Sequence, residues 1–274
     1  MKTIKADSIA EWVEEIQKRG KYTFSLLEVL DKFNSKSIEA IHFSVNYLIK
    51  KRKIVSVWKG FYSIIPVRYA LFDIVPPEFY IDDLMKYLNR TYYVGLFSAA
   101  AYYGAAHQKT QVFSVTTTIP PLRNSIKRNT CIAFISVRKN IPDNWLKSIR
   151  GDNGDFFISS PELTAADLIT FQKNVGGLNR ACTILYELME VVRFGKLDKD
   201  FFTYVPTSTI QRLGYLLENV LEQPKQADIL YSKAMTYNCK FQKIPLKNNK
   251  PKTDCETDRK WQIIINEQIE IDDL

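Results

Sequence analysis

The chain has 274 residues, 46% hydrophobic and 25% charged, which excludes global disorder and gives length for about two domains. Its net charge of +8 and sequence pI near 9.1 favour an acidic partner, nucleic acid first, although the excess is modest for the length. No apolar run approaches the roughly 20 residues that span a bilayer, and Met1-Lys2 leads straight into polar helix without a signal-peptide core, so a cytoplasmic protein is expected.

The first predicted element is a helix from about Ser8 to Arg19, with Ile9, Trp12, Val13 and Ile16 on one side. A second runs from Ser25, a capping residue, to Phe33, with Leu26, Val29, Leu30 and Phe33 at helical spacing. Asn34 to Ser37 offers turn chemistry and another cap, after which Ile38, Ile41, Val45, Leu48 and Ile49 form an apolar stripe. The opposite face carries Glu39, Ala40, Phe43, Asn46, Tyr47 and Lys50, side chains that can donate, accept or touch a thymine methyl. Lys50-Lys51-Arg52-Lys53 follows at once; it complements the negative helix pole and equally suits a phosphate backbone. Ile54 to Trp58, the turn Lys59-Gly60 and Phe61 to Ile65 then alternate as a two-stranded hairpin with Lys59 at its tip.

This order outlines a winged helix-turn-helix. Its basicity is concentrated, since Met1 to Pro66 holds twelve Lys plus Arg against seven Asp plus Glu. Any small three-helix domain with a hairpin shares the outline, and some bind only protein, so DNA binding and protein binding both stand as readings.

Arg68 to Pro77 reads as a linker, with the domain boundary near Val67 and a helix from Pro77 to about Arg90. Tyr92 to Gly104, apolar and alanine-rich, is expected to be one buried helix ended by Gly104. Gln111 to Thr118, Cys131 to Arg138 and Phe156 to Ser159 read as strands of one small sheet, and Gly151 to Asp155 as a turn. Ser160-Pro161-Glu162 starts a helix to about Phe171, its polar residues explained by capping. Beyond Gly176-Gly177, helices are predicted over Leu178 to Val192, Thr207 to Glu222 and Pro224 to Met235. Lys240 to Leu246 and Trp261 to Ile265 turn β-like around the polar loop Lys247 to Arg259, expected to be the most mobile segment, and Glu267 to Asp273 reads as a solvated acidic tail. The fold class is therefore α+β: an N-terminal winged helix-turn-helix, residues 1–66, and a larger mixed α/β domain, residues 67–274, with a small sheet and several helices.

Several segments together resemble the AbiEi antitoxin family: the winged helix, Tyr92 to Ala105, Phe157-Ile-Ser-Ser-Pro-Glu-Leu-Thr-Ala-Ala-Asp-Leu168, Ile210-Gln-Arg-Leu-Gly-Tyr-Leu-Leu-Glu218 and Trp261-Gln-Ile-Ile-Ile-Asn266. No single motif is specific, but their order covers nearly the whole chain. The resemblance implies a predicted transcriptional regulator of an abortive-infection, type IV toxin-antitoxin system used in phage defence. Such a protein represses the shared promoter through the winged helix and neutralises a nucleotidyltransferase-like toxin through its C-terminal domain, without a stable antitoxin-toxin complex. It implies DNA contacts at Lys36, Lys50, Lys51, Arg52, Lys53 and Lys59, with Ser35, Asn46 and Tyr47 as further neutral positions. In the Arg212-Leu-Gly-Tyr215 stretch, Arg212 and Tyr215 fall one helical turn apart, and either anchor the helix or form a surface for toxin neutralisation. One winged helix covers a short half-site, so two copies on an inverted repeat are expected, and the resemblance leans toward a free monomer that pairs on DNA.

An enzyme would need catalytic groups, and the histidines are His42, within the winged helix, and His107, in a turn without a nucleophile motif. The glycines form no Walker loop or dinucleotide fingerprint, and no cofactor is implied. Cys131, Cys182, Cys239 and Cys255 are too far apart for a paired zinc pattern, so no metal is expected. A metal-dependent nuclease built from Asp152, Asp155, Glu162 and Asp167 remains an alternative, because sequence does not show which acids converge.

Overall fold

The structure is a computed structural model and describes residues 6–70, 75–105, 111–127 and 130–271. His107, Asp272, Asp273 and residues 71–74 of the expected linker lie outside the described residues. The chain forms two compact units, Met1–Tyr93 with Gln111–Val137 and Ser148–Phe157, and Val94–Thr110 with Arg138–Lys147 and Ile158–Leu274. The boundary expected near Val67 therefore falls inside the first unit.

The first unit opens with helix α1 (Ile9–Lys18), capped by the Ser8 hydroxyl and burying Ile9, Trp12, Val13 and Ile16. Strand β1 (Thr23–Ser25) leads into α2 (Leu26–Lys32), where Ser25 Oγ accepts from Glu28 N at 3.2 Å and Ser25 N donates to the Glu28 carboxylate at 2.7 Å. This reciprocal capping box supplies acceptors for two helix-end donors and sets where α2 begins. α3 (Ile38–Lys50) is capped by Ser37 and buries Ile41, Val45 and Leu48. Ile38, expected on that buried stripe, is 58% exposed: residues 34–40 are all exposed, so the first turn of α3 projects past the core.

β2 (Ile54–Trp58) and β3 (Phe61–Ile64) form the expected hairpin, and β1, absent from the sequence reading, pairs with β3 through Phe24↔Tyr62 to give the order β1-β3-β2. Trp12 meets Phe24 edge-on at 5.3 Å, and Phe24 stacks on Tyr62 at 5.4 Å, so the aromatic core ties α1 to the sheet. The helix expected from Pro77 to Arg90 is instead a single turn at Pro77–Phe79 followed by α4 (Ile81–Tyr87).

Six strands, most of whose residues lie in this unit, form a second sheet: β4 (Tyr92–Val94), β5 (Val112–Thr118), β6 (Ser125–Lys127), β7 (Thr130–Val137), β8 (Leu146–Gly151) and β9 (Gly154–Ser159), in the order β6-β7-β5-β4-β9-β8. β5 and β7 run parallel in continuous register from Val112↔Cys131 to Thr118↔Val137. Tyr92-Tyr-Val94 does not join the following helix as expected, because three aromatic and β-branched residues suit a central strand and Gly95 separates them from it. Gly151 to Gly154 makes the predicted turn between β8 and β9.

The second unit contains α5 (Leu96–Tyr102), α6 (Pro161–Thr170), α7 (Leu178–Leu188), α8 (Lys199–Tyr204), α9 (Thr207–Asn219) and α10 (Pro224–Thr236). α6 is buried from Pro161 to Ile169 and packs against α5, α7 and α9. Its start follows the sequence: Ser160 Oγ accepts from Leu163 N at 3.2 Å and Pro161 occupies the first turn. Short strands β10 (Ile244–Pro245), β11 (Thr257–Asp258) and β12 (Ile263–Ile264) form a small sheet in the order β10-β12-β11.

Candidate nucleic-acid interface

α3 is amphipathic, with Ile41, Val45 and Leu48 inward and Glu39, Phe43, Asn46, Tyr47 and Lys50 outward and exposed. Its end is sharp. Arg52 adopts the left-handed conformation at φ 54°, Arg52 N donates to Ile49 O at 3.0 Å and Lys53 N to Leu48 O at 3.0 Å. These paired bonds close the helix and turn the chain, so Lys50, Lys51, Arg52 and Lys53 fan around its C-terminal end, all exposed. Lys51 Nζ lies 5.6 Å from the Tyr47 ring centroid, joining the cationic end to the aromatic surface of the helix.

Ser35 and Lys36 sit in the exposed turn before α3. Lys36 Nζ donates to Asp7 O at 3.1 Å and lies 5.3 Å from the Phe33 ring, so this lysine also braces the turn against the body of the unit. Lys59 is exposed at the hairpin tip beside Gly60, whose φ of 72° favours glycine. Ser35, Lys36, Asn46, Tyr47, Lys50, Lys51, Arg52, Lys53 and Lys59 thus all reach solvent from the turn, α3 and the hairpin of one unit. Phe43 was placed on this face by the spacing but omitted from the expected contacts; its 74% exposure sets it apart.

The hairpin is held from behind. Ser125 Oγ donates to Val57 O at 3.2 Å, Trp58 meets Phe134 edge-on at 5.8 Å, and Phe61 packs on Tyr87 at 5.0 Å. All of these partners belong to the first unit.

Arg212 and Tyr215 lie on α9 in the second unit. Tyr215 is buried, and Arg212 donates to Pro245 O, Leu246 O and Asn248 Oδ1 at 2.8–3.1 Å. Between them, Gly214 faces the Trp261 ring: a Cβ there would come within 2.1 Å of it. Trp261 Nε1 donates to Glu218 at 2.7 Å, and Gln211 Nε2 donates to Trp261 O at 2.7 Å. The segments Ile210–Glu218 and Trp261–Asn266 are thus one packed assembly.

The loop expected to be most mobile is cross-tied. Asn266 Nδ2 donates to Lys247 O, Lys250 O and Pro251 O, while Glu267 pairs with Lys247 at 2.8 Å and with Lys250. Those lysines hold the Glu267 carboxyl below its ordinary value of 4.5. The acidic end is therefore not wholly a solvated tail, since its first residue is the anchor.

Among the described residues, no three of His, Cys, Asp and Glu gather in a group that could hold a metal ion. Asp152 pairs with Arg68 at 2.5 Å and Asp155 with Arg150 at 3.2 Å, while buried Glu162 accepts from Arg193 N at 2.9 Å. A cleft of about 460 Å³ in the first unit is lined by Glu78, Asp82, Asp83 and Asp155, but Asp82 accepts from Tyr92 and Lys86, and Asp83 from Thr23. His42 is exposed on α3. Burial pushes the Cys182 thiol up to about 12, which suppresses thiolate chemistry at that position. No described helix is long and apolar enough to cross a membrane.

The fold is similar to that of the RV2827C protein from Mycobacterium tuberculosis, with a TM-score of 0.64 and 13% identity over 93% of this chain and 90% of that one. No curated protein matches. Residues 93–219 match the family model of the AbiEi antitoxin C-terminal domain, a range that includes α5 to α9 and the first part of the Gly214–Trp261 assembly. Over residues 93–219, the chain is similar to the C-terminal domain of the AbiEi antitoxin family.

Proposed function

We propose that this protein is an antitoxin that binds double-stranded DNA at its own promoter through residues 1–66, a winged helix-turn-helix with α3 as recognition helix, and so represses its operon. One observation carries the reading. Four consecutive cations, Lys50 to Lys53, fan from the C-terminal end of an exposed helix whose outward face carries Asn46, Tyr47 and Phe43. Helix ends of this kind grip phosphates while the outward face meets base edges. The remaining residues, 67–274, neutralise a nucleotidyltransferase-like toxin without a lasting complex. Arg212 and Tyr215 serve that role by holding α9 to the C-terminal segment.

A mobility-shift titration of the full chain on its own upstream DNA and on a scrambled control, at low and moderate salt, tests the DNA reading. The expected result is selective retention that weakens steeply with salt. Lys50→Glu with Lys53→Glu abolishes retention and leaves the thermal melt unchanged. Equal or absent retention of both probes by the wild type would sink the reading.

A further inference from the structure

Phe43 occupies the centre of the outward stripe of α3, one turn after Glu39 and one turn before Asn46 and Tyr47, with Lys50 beyond. The inward stripe of Ile41, Val45 and Leu48 already packs the helix, so an aromatic ring 74% exposed on the far side adds nothing to the core. Its apolar surface runs into charge, because the neighbouring Tyr47 ring carries the Lys51 ammonium 5.6 Å from its centroid and three further cations follow. An apolar centre with a cationic border fits a DNA groove, whose base edges lie between two anionic backbones. In the major groove the apolar group on those edges is the thymine 5-methyl, which phenylalanine contacts, and the flanking Asn46 amide can make paired hydrogen bonds to adenine.

We propose that Phe43 reads a thymine methyl at the centre of each operator half-site, making it a specificity-determining residue. The inference rests on the DNA-binding reading above.

The test titrates the full chain, by fluorescence anisotropy, against its upstream DNA with each thymine in turn replaced by deoxyuridine, which lacks only the methyl. One position per half-site should lose affinity about fourfold, the equivalent of one buried methylene-sized group. Phe43→Ala should lose at least as much on the natural sequence, no longer distinguish thymine from deoxyuridine there, and keep the wild-type melt and salt dependence. If no methyl matters, or if Phe43→Ala discriminates as the wild type does while the Lys50→Glu, Lys53→Glu variant fails to bind, DNA binding stands and this inference falls. If Phe43→Ala keeps its DNA selectivity but abolishes self-association in sedimentation, the ring serves a protein contact and the inference is likewise overturned. If the wild type retains no DNA, both readings fall.

Discussion

Gly214 shows how much one hydrogen atom in place of a side chain can decide. A Cβ at this position would lie 2.1 Å from Trp261, whose ring is fully buried, so the ring must move or α9 must shift. Gly214→Ala should therefore destabilise the protein by about 2 kcal/mol or more, seen as a lower melting temperature with altered tryptophan emission. Arg212 acts in the same assembly by donating to two carbonyls and an amide oxygen. Arg212→Ala leaves Pro245 O and Leu246 O without their donor, at a cost of about 2 kcal/mol, and toxin neutralisation should fall in step with the melt. Neutralisation lost at unchanged stability would instead make Arg212 a contact surface. The sequence left both roles open because one-turn spacing brings Arg212 and Tyr215 to the same helix face without revealing whether that face meets solvent or protein. That this face packs inward depends on Trp261, 47 positions beyond Gly214 and invisible to any local pattern.

Among the elements, those with their own punctuation were legible. Ser25, Ser37 and Ser160 each stand where a helix begins, and each accepts the hydrogen bond that its position implies. The recognition-helix candidate and its cation run could be read for the same reason, since spacing, cap and charge all lie within residues 37–53. Short strands such as β1 and β6 carry too few residues for alternation to register and exist because a neighbouring strand offers them a partner. The loop after β10 misled in the opposite direction: its composition is that of a mobile segment, yet Asn266 and Glu267 hold it from a distance. Glu267 has a depressed carboxyl, so its contribution is present above the ordinary value of 4.5 and is lost as pH falls through the lower folded value. Limited proteolysis should accordingly cut residues 247–259 faster as pH drops below that range, and Glu267→Gln should show the faster cutting already at neutral pH. Equal cutting at both pH values would show that Asn266 alone suffices.

For the whole molecule, composition alone pointed toward nucleic acid, and the folded first unit gives that charge a place. On the DNA-binding reading proposed above, a single α3 would span only a short half-site, so two copies should fill an inverted repeat about one helical turn apart or a multiple of it. Two successive shifted bands, collapsing to one when a half-site is scrambled, would establish this; a single band on both probes would contradict it. The partition into units was the least legible feature, because it depends on strands that come from three separated stretches of chain.

The hairpin after α3 bears on how such a protein can change over evolutionary time. Its backbone is bonded by Ser125 and its rings rest on Tyr87 and Phe134, all downstream of Pro66. Exchanging residues 1–66 between relatives would strip the hairpin of the surface that aims it. If α3 reads DNA as proposed, new operators should therefore be acquired by substitution along α3, at positions such as Phe43 and Asn46, far more readily than by shuffling whole modules.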